Sequence, residues 1–211
     1  MLSRGAYPVV YMFCVTAVFS SIVIGFSAMT QERVEANAKL ALESAVLRAM
    51  PAVDGEQEIE SLSGPAIHRE FTERISPPDA SSGRAYTLRK DGRITAYALP
   101  FEGQGFWARI RGIIGIAADK KTVTGITFYE QSETPGLGAE IVKPAFRNQF
   151  KGKTLAQDER PITMRRPGAM LGPGDVYAIT GATQTSVRVE NMVNQAIRDW
   201  QTRVDREGGP S

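Results

Sequence analysis

Residues 85–99 read AYTLRKDGRITAYAL, and residues 109–129 read RIRGIIGIAADKKTVTGITFY. In the first stretch, residues 85–89 and 93–99 flank Asp91-Gly92, a dipeptide suited to a tight primed turn because glycine tolerates positive φ. In the second, residues 109–118 and 122–129 flank Asp119-Lys120-Lys121. Within it, Ile113-Ile114-Gly115-Ile116 is a short apolar run of the kind a buried strand carries. Two hairpins in succession predict a mostly antiparallel sheet. Residues 101–107, rich in glycine and aromatics, are expected to join the hairpins as a loop.

Outward from this sheet the pattern turns helical. Val189, Met192, Val193, Ala196, Ile197 and Trp200 mark one apolar face of an amphipathic helix. A short helix is expected after Gly138, with Phe146 and Phe150 four residues apart, and residues 161–174 form a Pro/Gly-rich irregular passage. On the other side, Val34, Ala38, Ala41, Leu42 and Ala45 predict a helix over residues 31–50, which Pro51 ends. Residues 54–65 and 75–84 have loop composition. The sum is an α+β fold: a mostly antiparallel sheet flanked by helices and preceded by one N-terminal transmembrane helix. The expected parts are an anchor over 1–30, a helix and linker region over 31–84, a principal domain over 85–202 and a frayed tail over 203–211.

The anchor is read from residues 7–29, roughly 23 positions without a charge. At about 1.5 Å per residue they span roughly 35 Å, enough to cross a hydrocarbon core. A cleaved signal peptide would carry a shorter apolar region, about 7–15 residues, and a small-residue cleavage site. The run is therefore read as a retained anchor, in contact with membrane lipid. Cys14, the sole cysteine, falls inside it, where packing is expected of it rather than redox work.

Composition excludes several classes of chemistry. A net charge of +2 argues against a nucleic-acid partner, and Arg160, Arg165 and Arg166 read as a solvated loop. One cysteine and one histidine, His68, cannot make a cysteine-based metal site, and no metal ligands are assigned. His68 lies in a polar setting and is expected at the surface. There are no catalytic residues to assign, and any chemistry is expected from a bound organic cofactor.

Two motifs could hold one. Thr180-Gly181-Ala182-Thr183 precedes the last helix; its small residues allow close approach to the backbone, and free N–H groups at a helix start favour an anion. Plain capping by Thr and Ser explains the same residues. Thr134-Pro135-Gly136-Leu137-Gly138, within Ser132–Glu140, gives a fixed turn with little side-chain bulk. It suits either a structural turn or a loop that embraces a planar cofactor.

Taken together the motifs resemble the two signatures of the FMN-binding domain family: Thr180-Gly181-Ala182-Thr183 looks like its flavin-attachment motif and Glu133 to Gly138 its other signature. Trp107, in the glycine- and aromatic-rich segment, is a candidate flavin contact. Within that family, residues 103–153 and the anchor are similar to the C-type subunit of sodium-translocating NADH:quinone oxidoreductases. The resemblance implies an FMN-binding domain over 85–202 and FMN held as a phosphoester on Thr183. It also implies close backbone contact at Gly181 and Ala182, with residues 134–138 opposite. It further implies an electron-carrying subunit of a membrane redox complex, partnered by the complex's other subunits and matured by a flavin transferase. The location implied is the bacterial inner membrane, with a single span and the C-terminal domain periplasmic. The chain alone is not expected to oxidise NADH, having no dinucleotide fingerprint. A G-type subunit of the Rnf complex and a stand-alone anchored flavin domain are the alternatives. One departure stands out: three positions before Thr180, where the family usually has an acid, this chain has Tyr177, with Asp175 two residues earlier.

Overall fold

The computed structural model describes residues 6–50, 59 and 61–207. They form two compact units, Met1–Leu40 and Ala41–Ser211. The first consists of the outer part of helix α1 (Ala6–Ala49). Its apolar side chains, Phe13, Phe19, Ile24 and Phe26 among them, are exposed rather than packed into a protein core. The helix is long and apolar enough to cross a membrane by length and composition.

The second unit is built on a five-stranded sheet in sequential order, every neighbouring pair antiparallel. Its strands are β1 (Ile75–Ser76), β2 (Tyr86–Lys90), β3 (Arg93–Gln104), β4 (Arg109–Ala117) and β5 (Val123–Glu130). The β2–β3 turn places both Asp91 (φ 51°) and Gly92 (φ 75°) at positive φ, as a primed turn requires. At the β4–β5 turn, Asp119 Oδ1 accepts from the N–H groups of Lys121 and Thr122, 2.8 Å each.

Strand alternation divides the sheet's two faces. Leu99, Phe101, Ile110, Ile114, Ile116 and Ile126 join a core that includes Val189, Val193, Ile197 and Trp200 of the last helix, α4 (Thr183–Glu207). Burying each such side chain stabilises by about 1.5–3 kcal/mol. Trp200 also donates its indole N–H to Ser82 O at 3.0 Å. The other face meets the inner end of α1: Thr124 Oγ1 donates to Ala49 O (2.6 Å) and Thr127 Oγ1 to Ala45 O (2.9 Å). Gly115 makes this approach feasible, since a Cβ there would lie 2.0 Å from Ala49 O.

Several expectations need correction. The hairpin-joining loop over 101–107 is smaller than expected, because β3 runs on to Gln104 and pairs with β4 as far as Arg109. Pro100 is tolerated there because β2 has already ended, its last pair being Tyr86 with Ala98. The loop reading of 75–84 gives way at Ile75–Ser76, which pairs with β2. Residues 64–65 open a helix the periodicity did not reveal, α2 (Gly64–Arg74), with proline in its first turn. Residues 51–58 and 60, which include half of the 54–65 stretch expected as linker, lie outside the described residues, as do 208–211 of the expected tail. Residues 203–207 of that tail are helical, continuing α4. His68 of α2 is half exposed, as expected, yet its Nδ1 faces the buried Glu43 carboxylate of α1 at 2.9 Å.

The short helix after Gly138 is a 3₁₀ turn (Gly138–Val142), one α-helical turn, α3 (Pro144–Arg147), and a second 3₁₀ turn (Asn148–Phe150). Phe146 and Phe150 do stack edge-on, centroids 5.4 Å apart. Within the Pro/Gly passage, β6 (Thr163–Arg165) pairs in parallel with β7 (Asp175–Tyr177). Asn194 of α4 holds the start of β6 as a neighbouring strand would: its Oδ1 accepts from Ile162 N–H and its Nδ2 donates to Ile162 O.

Candidate functional site

Thr183 is the first residue of α4, and its side chain is exposed. The residues before it shape the turn into the helix. Gly181 takes φ 78°, in the left-handed region that favours glycine. Ala182 is buried and its carbonyl accepts the first helical bond from Ser186 N–H at 3.0 Å. Ser186 closes the turn from within: its Oγ accepts from Ile179 N–H (3.1 Å) and donates to Ala182 O (3.0 Å). Thr180 and Gly181 are exposed beside Thr183. The N–H groups of a helix's first turn have no partner within the helix, and the dipole there favours negative charge.

Residues 134–138 reach the same place. Pro135 and Gly136 (φ 75°) make a tight turn closed by Leu137 N–H to Thr134 O at 3.1 Å, a type II pattern that needs glycine at its third position. Leu137 is carried to Gly181, where a Cβ would meet Leu137 Cδ2 at 3.0 Å. The two motifs, more than forty residues apart in sequence, are therefore neighbours. Thr134, Pro135, Gly136 and Leu137 are exposed, whereas Gly138 is buried.

Sequence reasoning missed the group between them. Glu133 is only 5% exposed. Its Oε1 accepts from Trp107 N–H at 3.0 Å and its Oε2 from the Thr185 hydroxyl at 2.5 Å. Gly105 and Gly138 leave room for this carboxylate, since a Cβ on either would fall 2.6 and 2.7 Å from its oxygens. Trp107, at the β3–β4 turn, donates its indole N–H to Thr134 Oγ1 at 3.0 Å. With its ring 65% exposed and Phe106 packed edge-on at 5.0 Å, it presents an aromatic surface beside the two motifs. Trp107 was a sequence candidate. Glu133 is legible in the sequence only as part of a signature, since a buried acid carries no local pattern that would reveal it.

The neighbourhood of β7 also differs from its sequence reading. Asp175 is buried; its Oδ2 accepts from Gly172 N–H and from Arg165 Nε, 3.0 Å each. The Gly172 bond, then Arg165, hold its carboxyl below the usual carboxylate range. Thus Arg165 is ion-paired, and Asp175 is committed to its own loop rather than to the Thr183 turn. Tyr177 donates its hydroxyl to Ala169 O at 3.0 Å. No group of three or more acidic, His or Cys side chains that could hold a metal occurs among the described residues.

Comparison with known proteins finds similarity over the stretch that holds this arrangement. The family model described as "FMN-binding domain" matches residues 105–198, which include the Trp107 turn, both motifs and most of α4. Residues 105–198 are thus similar to FMN-binding domains. Its similar relatives include the C-type subunit of the Na(+)-translocating NADH-quinone reductase of Pasteurella multocida, 36% identical over 57% of this chain and 46% of the relative. That of Yersinia pestis is 41% identical over 52% of this chain and 42% of the relative. The matches thus span under half the length of these curated relatives. Among solved structures, the C-type subunit of the same enzyme from Parabacteroides distasonis aligns with a TM-score of 0.67 at 26% identity, covering 82% of this chain and 94% of that one. NqrC of Shewanella oneidensis shares the fold, with a TM-score of 0.57 at 23% identity, covering 80% of this chain and 97% of that one. The matched stretch therefore contains the whole cluster around Glu133, with the Thr183 turn at the start of its last helix.

Proposed function

We propose that this chain is an electron-transfer subunit that carries FMN as a phosphoester on Thr183, anchored by α1 in a membrane redox complex of the sodium-translocating NADH:quinone reductase type. The observation that carries the reading is the setting of Thr183: an exposed hydroxyl on the first turn of α4, inside the stretch that matches the FMN-binding domain model. The residues present suit the group. A phosphate on Thr183 would sit where helix N–H groups and the dipole favour an anion. Gly181 leaves the turn without side-chain bulk, and Trp107, Phe106 and Leu137 offer exposed apolar surface for a planar ring.

When bound, FMN supplies reversible uptake and release of electrons. The chain's part is to hold it. Thr183 fixes one end covalently, which keeps the carrier in place between donor and acceptor. Thr134 orients the Trp107 indole, and residues 134–138 face the Thr183 turn across Leu137 and Gly181. Making the ester requires an activated flavin phosphate: the Thr183 Oγ–P bond forms as the bond from phosphorus to its leaving group breaks and the hydroxyl proton departs. A flavin transferase would supply that donor. The names of the similar proteins support partners in a multi-subunit complex, and α1 supports a single-pass anchor; the proposed location, a bacterial inner membrane with the flavin domain on its periplasmic side, rests on the family resemblance alone.

The test is mass spectrometry of the full chain made with a flavin transferase. The peptide that holds Thr183 should gain the mass of one FMN, and Thr183→Val should abolish the gain. An unmodified Thr183 in the native membrane would refute the assignment.

A further inference from the structure

We propose that Glu133 is a positioning residue of the flavin site, whose one carboxylate sets the Trp107 turn and the first turn of α4 in a common frame. It rests on the flavin reading for its purpose, but its geometry belongs to the protein alone. Three pieces of chain meet at this carboxylate. The β3–β4 turn contributes the Trp107 N–H and the α4 start contributes the Thr185 hydroxyl. Gly105 and Gly138 give up the space that any side chain would take from its oxygens. Taking a carboxylate out of water is costly unless donors compensate it. Here each oxygen has one donor, and Thr185 stands in the first turn of a helix, where the dipole favours negative charge.

The consequence is a coupling. Trp107 and Thr185 lie 26 residues before and 52 residues after Glu133, and the carboxylate is a hydrogen-bonded link between them. Thr183 is two residues from Thr185, so the link sets the spacing between the Trp107 indole and the hydroxyl proposed to carry FMN. Thr134, the next residue, holds the indole itself. One buried side chain and its neighbour thus position both the ring platform and the attachment point.

Hydrogen exchange on the full-length chain made without flavin transferase tests this directly. Glu133→Ala should speed exchange in the peptides spanning 104–109 and 183–188 by about tenfold or more, the scale set by losing a charge-assisted bond to a buried group. Glu133→Gln should stay near wild type, because its amide oxygen can accept from Trp107 N–H while its NH₂ donates to Thr185. Thr185→Val, nearly isosteric and remote in sequence from the hairpin, should also speed exchange at Trp107 and keeps the test decisive where Glu133→Ala does not fold. In flavinylated protein the visible circular dichroism of FMN should change in Glu133→Ala and return in Glu133→Gln. Unchanged exchange at 104–109 in both Thr185→Val and any folded Glu133→Ala would overturn the coupling. If wild-type protein gains no FMN while the exchange results hold, the flavin reading fails and the positioning role stands.

Discussion

At Gly181 the backbone takes φ 78°, and a Cβ would come within 3.0 Å of Leu137 Cδ2. Two penalties therefore combine in Gly181→Ala, the left-handed conformation and the crowding of Leu137. A loss of about 1–2 kcal/mol is expected in denaturant unfolding, together with slower FMN incorporation at Thr183. Asp175 makes a second prediction at this scale. Gly172 N–H, then Arg165, hold its carboxyl below its ordinary value. A depressed value means the stabilisation is present at neutral pH and disappears as pH falls through the lowered value, below about 3.9. Exchange protection of Gly172 N–H should accordingly collapse in acid in wild type, while Asp175→Ala, which offers no acceptor, lacks protection at neutral pH and shows no such acid step. These residues were unequally legible. The Thr-Gly-Ala-Thr turn could be read because its chemistry lies in consecutive positions, whereas the commitment of Asp175 to Arg165 and Gly172 depends on how β6 and β7 pair.

Among the elements, the two hairpins and α4 follow directly from local pattern: a dipeptide with positive φ, alternating apolar positions, and a stripe at helical spacing. The extension of β3 through Pro100 and Gly103 does not, since both residues punctuate chains in isolation. Pro100 survives because β2 stops before it, a fact about a neighbour rather than about the segment. Helix α2 is similar; its single buried residue, Ile67, leaves almost no periodicity to read. The junction of α1 with the sheet gives the sharpest prediction here. In Gly115→Val the new side chain would begin 2.0 Å from Ala49 O and 2.2 Å from Thr124 Oγ1. The inner end of α1 must then leave β4, and the Thr124 and Thr127 bonds to it are lost. A destabilisation of about 3 kcal/mol or more is expected, read as a lowered thermal midpoint and rapid exchange near Ala45 and Ala49.

On the scale of the whole molecule, the outer part of α1 and the sheet unit dispose of their apolar side chains differently. The apolar side chains of residues 7–29 are largely exposed, as a proposed lipid-facing span requires, while the unit from Ala41 buries its apolar side chains in its own core. A charge in the middle of the span should expose the difference. Val18→Arg adds about 2.5–3.5 kcal/mol to insertion, so the variant should shift from the membrane fraction toward the soluble fraction or be degraded, while Val18→Leu should not. Periodicity, charge-free length and two short motifs by themselves determined a long apolar N-terminal helix, an antiparallel α+β domain and the threonine that opens the last helix, because each is a property of neighbouring residues. Only the tertiary structure decided that Glu133 joins Trp107 to Thr185, that β6 lies parallel to β7, and that His68 meets Glu43. Such contacts bridge tens of residues, and their energy arises where distant segments exclude water together, which no local pattern records.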